Sequence, residues 1–145
     1  VAVQVNQLGD WSLPETLLEK GVRELLRLEG RGEGELSLTF MDDRGIRALN
    51  QEYLGRDYPT DVIAFVLSEP GDPLMGDVYV GYEQAQRQAE EMGVGLLEEL
   101  LRLAIHGTLH VLGHDHPEGP ERTESPMFLR QEELLTGILS RLPSG

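Results

Sequence analysis

The sequence predicts an α+β protein: one mixed, roughly four-stranded sheet packed with about five helices, with a metal site at the end of a buried helix. Three observations carry this. Segments of period-2 apolar alternation are interleaved with segments of helical period, in a βαββ-like order with further helices behind. The chain has 145 residues, 39% of them hydrophobic, enough for one domain over residues 1–145 that buries roughly 70% of its unfolded surface. All four histidines fall within eleven residues, at the end of the most apolar helical segment and in the loop after it.

Val1, Val3 and Val5 alternate with smaller or polar residues and predict a first strand. Ser12-Leu13-Pro14-Glu15 has the form of a helix start, with Ser12 as N-cap. Leu17, Leu18, Val22, Leu25 and Leu26 form the apolar face of that helix. Three glycines interrupt the chain between Gly30 and Gly34, and Leu36, Leu38 and Phe40 begin a second strand. Asp42 or Asp43 can cap a helix from about Arg44 to Tyr53. Gly55 to Thr60 has loop composition. The continuous apolar run Val62 to Leu67 predicts a central strand buried on both faces. A turn with two prolines follows, then a short strand over Asp77 to Val80. Glu83 to Met92 is a polar helix that Gly93 can end. Leu96 to Leu112 is the most apolar helix, ended by Gly113. A loop and a last helix within Thr123 to Leu142, with Pro126 near its start, complete the chain.

There are 26 acidic and 12 basic residues, a formal charge of -14. A mean field this negative repels polyanions and anionic membranes, so a nucleic-acid function needs a local positive site: an ion or a few arginines. The absence of cysteine excludes disulfides and thiolate metal sites. The longest clearly apolar run, Val62 to Leu67, is far short of the ~20 residues needed to cross a membrane. The N-terminus lacks the form of a signal peptide. A soluble cytoplasmic protein is expected.

The histidines lie in HGTLHVLGHDH: His106, His110, His114 and His116. His106 and His110 are four apart, so on a helix they point the same way and can share one ion. Gly113 can reverse the chain and bring His116 back as a third nitrogen ligand. Three neutral imidazoles with one open position is the form of a catalytic zinc site. Glu98, Arg102, His106 and His110 recur every four residues as the one polar stripe of this helix. The competing account, two hydrogen-bonded core histidines beside a helix cap, explains one histidine better than this cluster. His114 could be a fourth ligand, a group behind the ligands or an exposed loop residue. Asp115 could orient a ligand imidazole or serve the turn. One zinc ion per chain is expected, and imidazoles also accept nickel, which purification could load.

The spacing H-x-x-x-H-x-x-G-x-x-H resembles the metzincin metalloproteases, which carry a general-base Glu directly after the first His. That position is Gly107, so the metal pattern is shared and the peptidase machinery is not. The sequence more closely resembles the YbeY family of bacterial endoribonucleases, the rRNA maturation factors. Its H-G-x-L-H-x-x-G-[HY]-D-H hallmark fits His106 to His116 throughout. Asn50, Tyr53, Gly55, Asp57, Pro59-Thr60-Asp61-Val62 and Phe65 are similar to a second family segment, and Gly76-Asp77-Val78 to a third. The resemblance runs from about Leu36 to the end of the last helix. It implies a zinc-dependent endoribonuclease of single-stranded RNA. The implied roles are 3′-end maturation of small-subunit rRNA and ribosome quality control. The implied partners are precursor rRNA and ribosomal components, with no DNA and no membrane. The family's arginine, linked to catalysis, falls on Leu54 here. Arg56, two residues on, is the candidate to supply that charge from a shifted place. The family's Ser before Phe is Ala64. The attacking group is open between an activated water and the RNA 2′-hydroxyl. The acidic surface implies that recognition needs a partner protein or structured RNA. Two other functions stay in view: a zinc hydrolase of another bond, against which Gly107 speaks, and a ribosome-assembly protein with structural zinc, which would need His114 or Asp115 as fourth ligand.

Overall fold

Among the described residues, apolar strand patterns build four strands and helical periodicity five helices. The computed structural model describes residues 2–114 and 125–142. Along the chain run β1 (Ala2–Leu8), α1 (Glu15–Leu28), β2 (Gly34–Met41), α2 (Asp43–Leu54), β3 (Val62–Val66), β4 (Leu74–Gly81), α3 (Tyr82–Met92), α4 (Leu96–Val111) and α5 (Pro126–Arg141). The strands form one mixed sheet in the order β1-β2-β4-β3. β1 and β4 flank β2 in parallel, and β3 runs antiparallel to β4. This is the expected α+β architecture.

Alternate strand residues point to opposite faces. Leu36, Leu38, Phe40, Val78 and Val80 join the main core, which α1, α4 and α5 cover with Leu18, Leu25, Leu101, Ile105, Leu109 and Ile138. The intervening Met41 and Ile63 join Ile46 of α2 in a smaller cluster, with Phe65 and Tyr79 packed against it.

Three expectations change. Val62 to Leu67 is not a central strand: β3 is an edge, paired with β4 alone. Val66 and Leu67 are 56% and 53% exposed. Its continuous apolar run reflects two covered faces, Val62 and Ala64 against the main core and Ile63 and Phe65 against the smaller cluster. Covered faces and a paired edge leave the same trace in composition. The interior strands are β2 and β4, and β4 is longer than Asp77 to Val80 because pairing with β2 carries it from Leu74 to Gly81, with β3 covering Gly76 to Val80 on its other side. Ser12 does not cap α1, which begins after Pro14 without a side-chain cap. Trp11 anchors this segment instead, stacked on Tyr82 at 4.3 Å. Asp42 caps α2, accepting from Gly45 N at 2.8 Å, as expected.

Helix α4 sits on the sheet through two glycines. A Cβ at Gly107 would lie 2.5 Å from Val78 Cγ1 and 2.9 Å from Val62 Cγ2. A Cβ at Gly76 would lie 2.5 Å from Val111 Cγ1. On another side α4 meets α5 through charge. Arg102 donates to Glu132 at 3.0 Å, to Glu98 at 3.3 Å and to Glu99. Burial pushes the Glu99 carboxyl above its ordinary range, partly offset by Arg102. Burial also opposes the Arg102 charge, but Glu132 and Glu99 outweigh it and hold the guanidinium protonated.

Gly107→Ala is expected to destabilise the protein by about 1–3 kcal/mol through overpacking, despite alanine's better helix propensity. Denaturant titration measures this. The penalty should shrink in a Val78→Ala background; an equal penalty in both backgrounds would show that the contact is not its source.

Candidate metal centre

The last two turns of α4 place His106 and His110 on one side of the helix. His106 is buried and His110 half-buried. Their Nε2 atoms lie 3.2 Å apart, with the rings edge-on at 77°. Two nitrogens bound at ~2.05 Å to one tetrahedral ion stand ~3.3 Å apart, so the pair fits two corners of a zinc site.

Gln131 of α5 sets the chemistry of His106. Its Oε1 lies 2.6 Å from His106 Nδ1. The Gln131 amide nitrogen donates to Glu132 Oε2 at 3.0 Å, which orients the amide with its oxygen toward the ring. An amide oxygen only accepts, so Nδ1 carries the proton and Nε2 keeps the lone pair a metal requires. Glu132 is in turn held by Arg102. Arg102 and His106 of the stripe thus meet a polar seam on α5. Gln131 is the functional residue that sequence reasoning missed. Its signal was a polar residue in register with the buried Met127, Leu134, Leu135 and Ile138 of α5.

Gly113 ends the helix with φ 99°. His114 N donates to Leu109 O at 2.9 Å and Gly113 N to His110 O at 3.0 Å, the paired bonds of a Schellman stop. The chain therefore turns directly after His110. Among the described residues, no group of three His, Cys, Asp or Glu could hold a metal, so His114 does not join His106 and His110 in one. His116 and Asp115 lie outside the described residues. Gly107 explains the missing general base: it faces Val78 and Val62, so a carboxylate there would point into the sheet.

Arg56 lies in the loop after α2, where Gly55 takes φ 69°. Asn50 shapes this loop. Its carbonyl accepts from Arg56 N at 3.3 Å, and its Nδ2 donates to Tyr58 O at 2.8 Å. Arg47 pairs with Asp57 at 2.8 Å, and this hydrogen bond lowers the Asp57 pKa. The Arg56 side chain is exposed and has no ion pair among the described residues; Leu54 is also exposed. No described contact joins Arg56 to the histidine pair. No helix among the described residues is long and apolar enough to cross a membrane.

A family model described as Endoribonuclease YbeY matches residues 5–139. A Geobacillus thermodenitrificans protein named Endoribonuclease YbeY is 41% identical over 131 residues, covering 82% of this chain and 83% of its own. Its namesake in Halalkalibacterium halodurans is 43% identical over 136 residues, 84% of each chain. A Persephonella marina namesake is 37% identical over 139 residues, covering 93% of this chain and 90% of its own. The fold is similar to that of a Thermotoga maritima protein solved in solution, at a TM-score of 0.67 and 28% identity over 95% of this chain and 89% of that one. With the matched model spanning nearly all of the sequence, the chain belongs to the endoribonuclease YbeY family.

Proposed function

We propose that this protein is a zinc-dependent endoribonuclease that cleaves single-stranded segments of precursor rRNA. Its place is 3′-end maturation of the small-subunit RNA and ribosome quality control in the cytoplasm. Ribosomal components are its expected partners, and neither DNA nor a membrane is. Family membership supports the reaction. The observation that carries the metal reading is the His106–His110 pair, spaced for two corners of one ion and set in its tautomer by Gln131.

In this reading His106, His110 and His116 hold one zinc ion, and nickel could replace it in purified protein. When bound, the ion supplies Lewis-acid chemistry suited to a phosphodiester. Gln131 keeps the His106 lone pair at Nε2, and Gly107 leaves the histidine face without a carboxylate base. Arg56 is the proposed partner of the phosphate, reaching from the loop that Asn50 shapes. Structural zinc is the second reading; it needs His114 or Asp115 as a fourth ligand, and among the described residues His114 forms no set with the pair.

The deciding experiment measures metal content beside cleavage of an rRNA precursor, for wild type and His110→Ala, with and without chelator. About one metal per chain is expected, with cleavage lost in the variant and on chelation. Metal bound without cleavage of any RNA would overturn the enzymatic role. Metal absent, with the variant merely less stable, would restore the core-histidine account. Deoxyribose at the cleavage site separates the two attacking groups, since it stops only the 2′-hydroxyl route.

Gln131→Leu should weaken metal affinity about 10–100-fold, as loss of a ligand-orienting partner does. Competition with a chromophoric chelator reads this, and unchanged affinity would remove Gln131 from the site. Arg56→Ala should lower turnover by about 100-fold if its guanidinium meets the phosphate. Near-normal turnover would sink that role.

A further inference from the structure

The acidic balance of the chain leaves a question that the histidines answer only in part: where a polyanion is held. Only 12 of 145 residues are Lys or Arg. Five of these, Lys20, Arg23, Arg27, Arg31 and Arg141, line one cleft of about 570 Å³ between α1 and the end of α5. Ile138 and Leu142 contribute apolar lining. Lys20, Arg23 and Arg27 follow helical spacing and form a stripe on α1. Arg31 stands just past the turn at Gly30, its N–H bonded to Leu26 O at 2.8 Å.

One carboxylate, Glu24, lines the cleft. It pairs with both Arg27 and Arg141, so it organises two guanidinium groups while neutralising one. Arg23 pairs with Glu19. Lys20 and Arg31 have no ion pair among the described residues. From Lys20 to Arg27 the stripe spans about 10 Å of helix axis, too long for a single phosphate. It suits a phosphate backbone, whose charges repeat along its length.

The cleft shares α5 with the metal centre. Gln131 touches His106, and Arg141 follows ten residues later, about 15 Å along the helix. Gly21 of α1, against Leu101 of α4 and Ile138 of α5, packs the three helices together. Both places thus belong to one packed three-helix unit.

We infer that the α1–α5 cleft is a docking site for the phosphate backbone of folded RNA, outside the point of cleavage. The inference rests on the reading of the protein as an RNA enzyme. It gives a long-range repulsive protein a local, preorganised attraction, and makes binding depend on salt.

The test is fluorescence anisotropy with a labelled transcript of the small-subunit rRNA 3′ region and its adjoining hairpin, over a series of salt concentrations. Lys20→Glu/Arg31→Glu should weaken binding at least tenfold and flatten the salt dependence by about two units of slope. Arg44→Glu/Arg87→Glu changes the net charge equally on α2 and α3 and should weaken binding far less. The neutral pair Lys20→Gln/Arg31→Gln, checked for a native melting temperature, covers the case in which charge reversal prevents folding. Unchanged affinity and slope in the cleft variants overturn the inference, as does equal weakening in the control. Because binding is read without cleavage, a wild type that binds through the cleft but cuts no RNA overturns only the endoribonuclease reading.

Discussion

Where α4 meets the sheet, the helix and the strand each present a bare backbone to a valine. Gly107 receives Val78 and Val62, and Gly76 receives Val111. The close approach seats the helix and fixes its rotation. With Gly107 turned into the sheet, His106 and His110 are carried to the side, where α5 can reach them. The same contact accounts for the chemistry that is absent. A metzincin-like base needs a side chain at position 107, and the sheet occupies that space. Fold and reaction class are thus tied at one residue.

The second constraint is the polar seam between α4 and α5. Burying His106 without a partner would be costly. Gln131 satisfies its Nδ1, Glu132 orients Gln131, and Arg102 holds Glu132. Each group in this series has one arrangement that satisfies its neighbour, so the orientation of the imidazole is set from α5. Glu99 shows that the seam has a cost, since burial raises its carboxyl pKa despite the opposing effect of Arg102. The contact is specific rather than simply adhesive.

Charge and function meet in an unusual balance. The net charge of -14 suits solubility and discourages indiscriminate RNA binding. Basic side chains gather in the cleft between α1 and α5, while Arg56 stands exposed in the loop after α2.

Local patterns in the sequence determined the elements, the stop at Gly113 and the shared face of His106 and His110. Each depends on residues within one or two helical turns, whose periodicity or spacing is written in order along the chain. The edge position of β3 was not legible, because an apolar run reports covered faces and not paired edges. Neither was Gln131, which meets His106 from twenty-five residues away. The steric need for Gly107 was hidden for the same reason, since Val78 and Val62 belong to other strands. Lys20, Arg23 and Arg27 are local to α1, but the fold alone joined Arg141 to them. The sequence by itself marked the histidines as the candidate ligands. The tertiary structure decided which atom of His106 bears the lone pair and where the cations gather, because both depend on contacts between segments distant in the chain.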